Sequence, residues 1–249
     1  MSSTITPAGS EPQLAISGLK KEFASGFVLG PLDLTLGSGA TIGLVGKNGA
    51  GKTTSFQLLT GNLDATAGEI RLAGRKLTPD TAELKREVGY LPQDPVLPEW
   101  ASGHEVLSYA ARLYGLPRIE ERVTSAEDLW DCASYKHKPL GTLSYGMQKR
   151  VGLALATLHD PAYLILDEPF SGLDLNHIKT LESMIAGRTR RGHITILSTH
   201  VLSFCARLCT EVLVLADGKW ATVAPWDVLS LEAREAEIES RFFGVRSTN

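Results

Sequence analysis

Apolar and polar positions divide this chain into stretches of different period. Gln13 to Lys20 and Pro31 to Leu36 alternate or run apolar, with turn residues between and after them at Ser25-Gly26 and Gly37-Ser38-Gly39. That pattern predicts an antiparallel β lobe. Ala40-Thr41-Ile42-Gly43-Leu44-Val45 follows as a short, partly β-branched apolar run, as a buried strand should be. Ser55-Phe56-Gln57-Leu58-Leu59 starts a helix. Gly68 to Gly74 is a further short strand with a glycine turn, and Val88 to Gln93 is a strand that stops at Pro92.

From Asp94 to about Gly141 the character becomes helical. Ser102-Gly103-His104-Glu105 fits a capping box, and Val106, Leu107, Tyr109, Ala110 and Leu113 follow at helical spacing until Pro117 ends the segment. A second helix is predicted over Lys149 to Leu158. Ala162 to Leu166, Ile194 to Ser198 and Val212 to Leu215 are then three apolar runs separated by helical segments, the βαβα order of a parallel sheet. Trp226 to Phe243 reads as mostly helical with mixed charge. The predicted fold class is α/β: a mostly parallel core sheet with an antiparallel β lobe and an inserted α-helical lobe. The expected divisions are a disordered tail over 1–12, one domain over 13–224 with the helical insertion at about 94–158, and a helical tail over 225–249.

Composition narrows the class. Of 249 residues, 43% are hydrophobic and 21% charged, as in ordinary globular proteins. A net charge of −3 argues against a nucleic-acid-binding surface, and no nucleic-acid partner is expected. No apolar run approaches the ~20 residues that span a bilayer. Met1 to Pro12 is polar and lacks the layout of a signal peptide. Three cysteines cannot all pair within one chain and point to a reducing compartment. Cys205 and Cys209 share a helix face and read as small buried hydrophobes.

Gly46-Lys47-Asn48-Gly49-Ala50-Gly51-Lys52-Thr53-Thr54 fits G-x-x-x-x-G-K-[ST], between a predicted strand and a predicted helix. That is the context a phosphate-binding loop requires. Glycines let backbone N–H groups converge on phosphate oxygens, and the helix N-terminus adds partial positive charge. Lys52 can reach β- and γ-phosphates, and the Thr53 hydroxyl can ligate Mg²⁺. Tyr163-Leu164-Ile165-Leu166-Asp167-Glu168 is an apolar strand that ends in two acids. In phosphate-loop ATPases the first acid of such a strand holds Mg²⁺ through water and the second polarises the attacking water; Asp167 and Glu168 stand at those positions.

Leu143-Ser144-Tyr145-Gly146-Met147-Gln148-Lys149-Arg150 decides among phosphate-loop enzymes. It opens a helix just before the acidic strand, with Ser144 as a candidate N-cap. In order with the other two motifs it resembles the signature of ATP-binding cassette (ABC) ATPases, and the resemblance covers roughly Leu14 to Lys219. The resemblance implies further roles. Phe23, 23 positions before Gly46, corresponds to the aromatic that stacks on adenine. Gln93 corresponds to the glutamine that senses Mg²⁺ and the γ-phosphate, at the junction with the lobe that docks to a membrane partner. Ser171-Gly172-Leu173-Asp174 matches the loop that crosses a dimer interface, and His200 matches the switch histidine at the γ-phosphate. Ser144, Gly146 and Asp174 then address the nucleotide of an opposite subunit. Two departures stand out: Tyr145 replaces the first glycine of the usual signature and Met147 its glutamine. Lys47 replaces a common proline in the loop.

The resemblance implies an ATP- and Mg²⁺-dependent ATPase that pairs with itself or with a related subunit. It also implies a separate transmembrane permease and a position on the cytoplasmic face of the membrane. Ala111-Arg112-Leu113-Tyr114-Gly115-Leu116-Pro117 and the Tyr-Gly-Met signature resemble the exporter branch. The alternatives are a cytosolic ABC ATPase of translation or iron–sulfur assembly, and a chromosome-maintenance or repair ATPase. Translation-type members usually carry two cassettes, whereas this chain has one. The second alternative separates its nucleotide motifs by a long coiled coil or a large domain, and no sustained heptads appear here.

Overall fold

A computed structural model describes residues 4–5, 13–223 and 229–244 of the chain. The strands are β1 (Thr4–Ile5), β2 (Leu14–Glu22), β3 (Val28–Leu36), β4 (Thr41–Gly46), β5 (Ala67–Leu72), β6 (Arg75–Leu77), β7 (Val88–Leu91), β8 (Tyr163–Leu166), β9 (Ile194–Ser198), β10 (Glu211–Ala216) and β11 (Lys219–Val223). The helices are α1 (Lys52–Leu59), α2 (Ala82–Lys85), α3 (Gly103–Leu113), α4 (Ile119–Leu129), α5 (Tyr145–Thr157), α6 (Leu175–Arg190), α7 (Leu202–Leu208) and α8 (Leu231–Gly244).

Two sheets result. The first has the order β1-β3-β2-β5-β6, antiparallel except for the β1–β3 pair. The second has the order β11-β10-β4-β9-β8-β7, parallel except for the β10–β11 hairpin. Every residue of β4, β8 and β9 is buried, which explains why these strands read as continuous apolar runs rather than alternating ones. Successive side chains still point to opposite faces. Leu164 and Leu166 join a core shared with Leu107, Val123, Trp130 and Val151 of the helical insertion. Tyr163 and Ile165 join a second core with Ile16, Leu32 and Leu34 of the antiparallel sheet. The parallel sheet is therefore covered on both faces, and the C-terminal ends of β4, β8 and β9 come out along one edge.

The helical stretch between β7 and β8 contains α3, α4 and α5. The capping box at Ser102 forms: its hydroxyl accepts from Glu105 N, and Glu105 Oε2 accepts from Ser102 N at 2.8 Å. The helix expected over Lys149 to Leu158 begins four residues earlier, at Tyr145, because Ser144 caps it by accepting from Met147 N. Leu158 lies just past its end as the C-cap.

Two other expectations change. Within the tail expected to be disordered, Thr4 and Ile5 pair with Thr35 and Leu36; the rest of 1–12 lies outside the described residues. β11 was not expected. Asp217 and Gly218, both at positive φ, make the two-residue turn that folds it back on β10. In the C-terminal segment α8 is helical and seats Ile238 in the core, while residues 224–228 and 245–249 lie outside the described residues. Cys205 and Cys209 are buried, and a side chain at Gly43 of β4 would meet both sulfur atoms, at 2.8 and 3.1 Å.

Candidate functional site

The loop between β4 and α1 is shaped by its glycines in two different ways. Gly49 has φ +80° and open space around it, so its requirement is conformational. Gly46 is excluded from larger residues by space, because a Cβ there would lie 2.7 Å from the Leu215 carbonyl oxygen. Gly51, at φ +110°, caps α1 without a side chain, and a Cβ would press on Leu29 and Phe27. The loop thus keeps its backbone bare where it turns into the helix. The Lys52 ammonium folds back over it, donating to the Gly46 carbonyl at 2.6 Å and the Lys47 carbonyl at 3.2 Å. Burial pushes its pKa down, and the Glu168 and Asp167 carboxylates oppose that shift.

Asp167 follows β8 and is 2% exposed. Ser198 Oγ, at the end of β9, donates to Asp167 Oδ1 at 2.6 Å, and Thr53 Oγ1 donates to Oδ2 at 3.3 Å. Glu168 N donates to the same Ser198 hydroxyl at 3.0 Å. Glu168 itself adopts φ +46°, a left-handed conformation that is costly for a residue with a Cβ. Its carboxylate accepts from His200 N at 3.3 Å and lies 3.2 Å from His200 Nε2. Burial raises the Glu168 pKa, while His200 pulls it back.

A cavity of about 440 Å³ collects most of the candidate residues. Phe23, Asn48, Gly49, Gly51, Lys52, Thr53, Thr54, Gln93, Asp167 and His200 line it. Phe23 and Phe27 sit on one turn, closed by Phe23 N donating to the Phe27 carbonyl, with ring centroids 6.1 Å apart. Ala50 lines a neighbouring cavity of about 370 Å³, and Gly46 lies beneath the loop against Leu215.

Ser144, Gly146 and Asp174 do not line the 440 Å³ cavity. They gather elsewhere. Gly146 packs so close to the Gly172 carbonyl that a Cβ would lie 2.5 Å from the oxygen. Asp174 caps α6, accepting from Asn176 N and His177 N at 3.0 Å each. Phe27, Ser198 and Lys149 were missed in the sequence. Lys149 is fully buried in α5 and donates to the carbonyls of Gln93 at 2.6 Å and of Pro92 and Asp167 at 3.4 Å each. A lysine on the apolar face of a predicted helix was the available signal.

The donor set suits a nucleotide triphosphate with a hard cation. The glycine loop, the start of α1 and Lys52 line one space, and Thr53 and Asp167 offer adjacent oxygen ligands. No group of three His, Cys, Asp or Glu side chains among the described residues could hold a metal by itself. The Thr53 hydroxyl beside the Asp167 carboxylate suits Mg²⁺, which is bound through few carboxylates and completed by phosphate oxygens and water.

The fold and this loop define a phosphate-loop ATPase with a helical insertion. The family model described as ABC transporter matches residues 29–171, and the chain belongs to that family. It is 36% identical to the uncharacterized ABC transporter ATP-binding protein YxlF of Bacillus subtilis, over 83% of this chain and 68% of that protein. It is 32% identical to the uncharacterized ABC transporter ATP-binding protein MJ1023 of Methanocaldococcus jannaschii, over 84% and 76%. A solved structure described as the ATP binding subunit of an ABC transporter superposes with TM-score 0.79 over 95% of both chains at 27% identity. The chain is thus an ATP-binding subunit of the ABC type, and hydrolysis of ATP is the activity its family implies. Among the described residues, no helix is long and apolar enough to cross a membrane.

Proposed function

We propose that this chain is the energy-coupling ATPase of an ABC transporter of the exporter branch, working with a separate transmembrane permease at the cytoplasmic face of the membrane. The observation that carries the ATPase reading is the hydrogen-bonded chain Thr53–Asp167–Ser198–Glu168–His200 beside the Lys52 loop, and the exporter assignment rests on the resemblance of Ala111 to Pro117 and of the Tyr-Gly-Met signature. The hydrogen-bonded chain joins the ends of β8 and β9 to the start of α1.

The assignment of roles follows from what each group can do. The loop Gly46 to Thr54 cradles the phosphates through its backbone, and Lys52 leaves its carbonyl partners to neutralise β- and γ-phosphate charge. Phe23 offers its ring face to the adenine. Thr53, Asp167 and Gln93 would hold Mg²⁺, which would supply positive charge to the phosphate oxygens. Glu168 accepts a proton from the attacking water; a raised pKa suits a general base near neutral pH. His200 keeps Glu168 oriented and can turn toward the γ-phosphate. Ser144, Gly146 and Asp174, held apart from the cavity, serve the nucleotide of a second subunit, so two chains complete two sites. Differential affinity of the closed pair for ATP converts binding into motion.

Docking of the permease is supported by exposed apolar side chains in the insertion that follows Gln93. Val96 is 93% exposed and Trp100 84%, and Tyr109 and Leu113 of α3 are exposed as well. The proposed domain spans 13–224, with 94–158 as the lobe that bears these side chains.

Steady-state ATP hydrolysis by the purified full chain tests the reading. Lys52→Ala and Glu168→Gln should each abolish turnover, and only Glu168→Gln should keep ATP affinity. Turnover that survives both changes would refute it.

A further inference from the structure

Two residues of α5, one turn apart, converge on one backbone atom. Tyr145 Oη donates to the Gln93 carbonyl at 3.0 Å, and Lys149 Nζ donates to the same oxygen at 2.6 Å. The pair also faces itself, with Nζ 6.0 Å from the Tyr145 ring centroid. Lys149 reaches in addition to the carbonyls of Pro92 and Asp167, at the ends of β7 and β8. Lys149 is fully buried among these acceptors, and an ammonium in such a place is retained only where its hydrogen bonds are made. The Tyr145 hydroxyl also faces the side chains of Asp94 and Ser171, and its ring covers the space where a side chain at Gly172 would stand.

We infer that Tyr145 and Lys149 are positioning residues for Gln93, fixing its backbone from the helix that begins with the signature segment. The inference rests on the proposed role of Gln93 at the nucleotide. Its physical content is a link between two sites. The start of α5 does not line the chain's own cavity, while Gln93 does. A carbonyl held by two donors from α5 moves when α5 moves. A shift at Ser144 and Gly146 therefore reaches Gln93 without passing through the phosphate loop. It also gives a reason for the ring at position 145: glycine could pack against Gly172 but could not supply the hydroxyl. Charged donors make the stronger bonds, so Lys149 sets the anchor and Tyr145 sets its direction.

The test uses Tyr145→Phe, which deletes one oxygen near the surface and spares the buried lysine. Wild type, Tyr145→Phe, Gln93→Ala and the double variant are compared as full chains, with melting temperatures as a check on folding. With ATP, kcat of Tyr145→Phe should fall about threefold to tenfold, the factor one hydrogen bond commands, at nearly constant KM, and the Mg²⁺ concentration for half-maximal rate should rise. In the Gln93→Ala background, Tyr145→Phe should change kcat less than twofold. An equal fall in both backgrounds would overturn the inference and leave the role of Gln93 intact. So would a kcat that Tyr145→Phe leaves unmoved. If Gln93→Ala alone changes neither kcat nor the Mg²⁺ dependence, the role of Gln93 itself falls, and the inference with it.

Discussion

Ser198 holds Asp167 through a 2.6 Å hydrogen bond between two adjacent parallel strands, and the same hydroxyl accepts from the backbone of Glu168. One side chain thereby orients both acids at the end of β8. A hydrogen bond to a charged acceptor contributes about 1.5–3 kcal/mol, so Ser198→Ala should release Asp167 and lower kcat/KM for Mg-ATP by about tenfold to a hundredfold. Affinity for Mg-free ATP should hardly change. Parallel titrations with and without Mg²⁺ check this.

Lys52 is anchored by loop carbonyls that a nucleotide must displace. Lys52→Ala removes the direct charge on the β- and γ-phosphates and should weaken ATP binding by tenfold or more, with little effect on melting temperature. Isothermal titration with ATP measures it. Unchanged affinity would count against the phosphate-loop assignment.

Much of this site could be read directly from the sequence, because its central motifs are local. The phosphate loop and the acidic strand are each one contiguous run, and the buried strands announce themselves by apolar continuity. What could not be read was tertiary. Ser198 is an ordinary strand-end serine until β8 and β9 pair. Lys149 looks solvated until the Gln93 and Asp167 segments close over it. The range Lys149 to Leu158 starts late because Tyr145 and Gly146 are weak helix formers, although the Ser144 cap marks the true boundary. β11 was missed although Asp217-Gly218 is a strong hairpin signal; the following Lys219-Trp220-Ala221-Thr222-Val223 is half exposed and too short to stand out.

Gly146 has no room to grow. Gly146→Ala would push a methyl against the Gly172 carbonyl and move the loop that leads to Asp174. The single chain should still bind ATP, because neither Gly146 nor Gly172 lines its own cavity. Hydrolysis should fall by at least tenfold if that surface completes a second subunit's site. Binding and turnover measured on the same preparation separate the two effects.

His159 is stacked on Tyr114 at 3.9 Å, and burial lowers its pKa to about 4. The unfolded chain then binds the proton more tightly than the folded one. Stability from keeping this ring neutral is complete above pH 6.5 and is lost as pH falls from 6.5 toward 4. With discounting for partial exposure, the loss is on the order of 1–2 kcal/mol, or a few degrees in melting temperature. His159→Gln should flatten that part of the pH–stability curve, and thermal scans across the window test it.

The central claim is that one chain holds ATP while a second completes the site. It is tested most directly by light scattering coupled to size-exclusion chromatography of Glu168→Gln, with and without Mg-free ATP. Glu168→Gln should be a monomer that becomes a dimer only when ATP is present, because the loss of the Glu168 carboxylate blocks hydrolysis and leaves the closed pair intact. A species that remains monomeric with saturating ATP would contradict self-pairing.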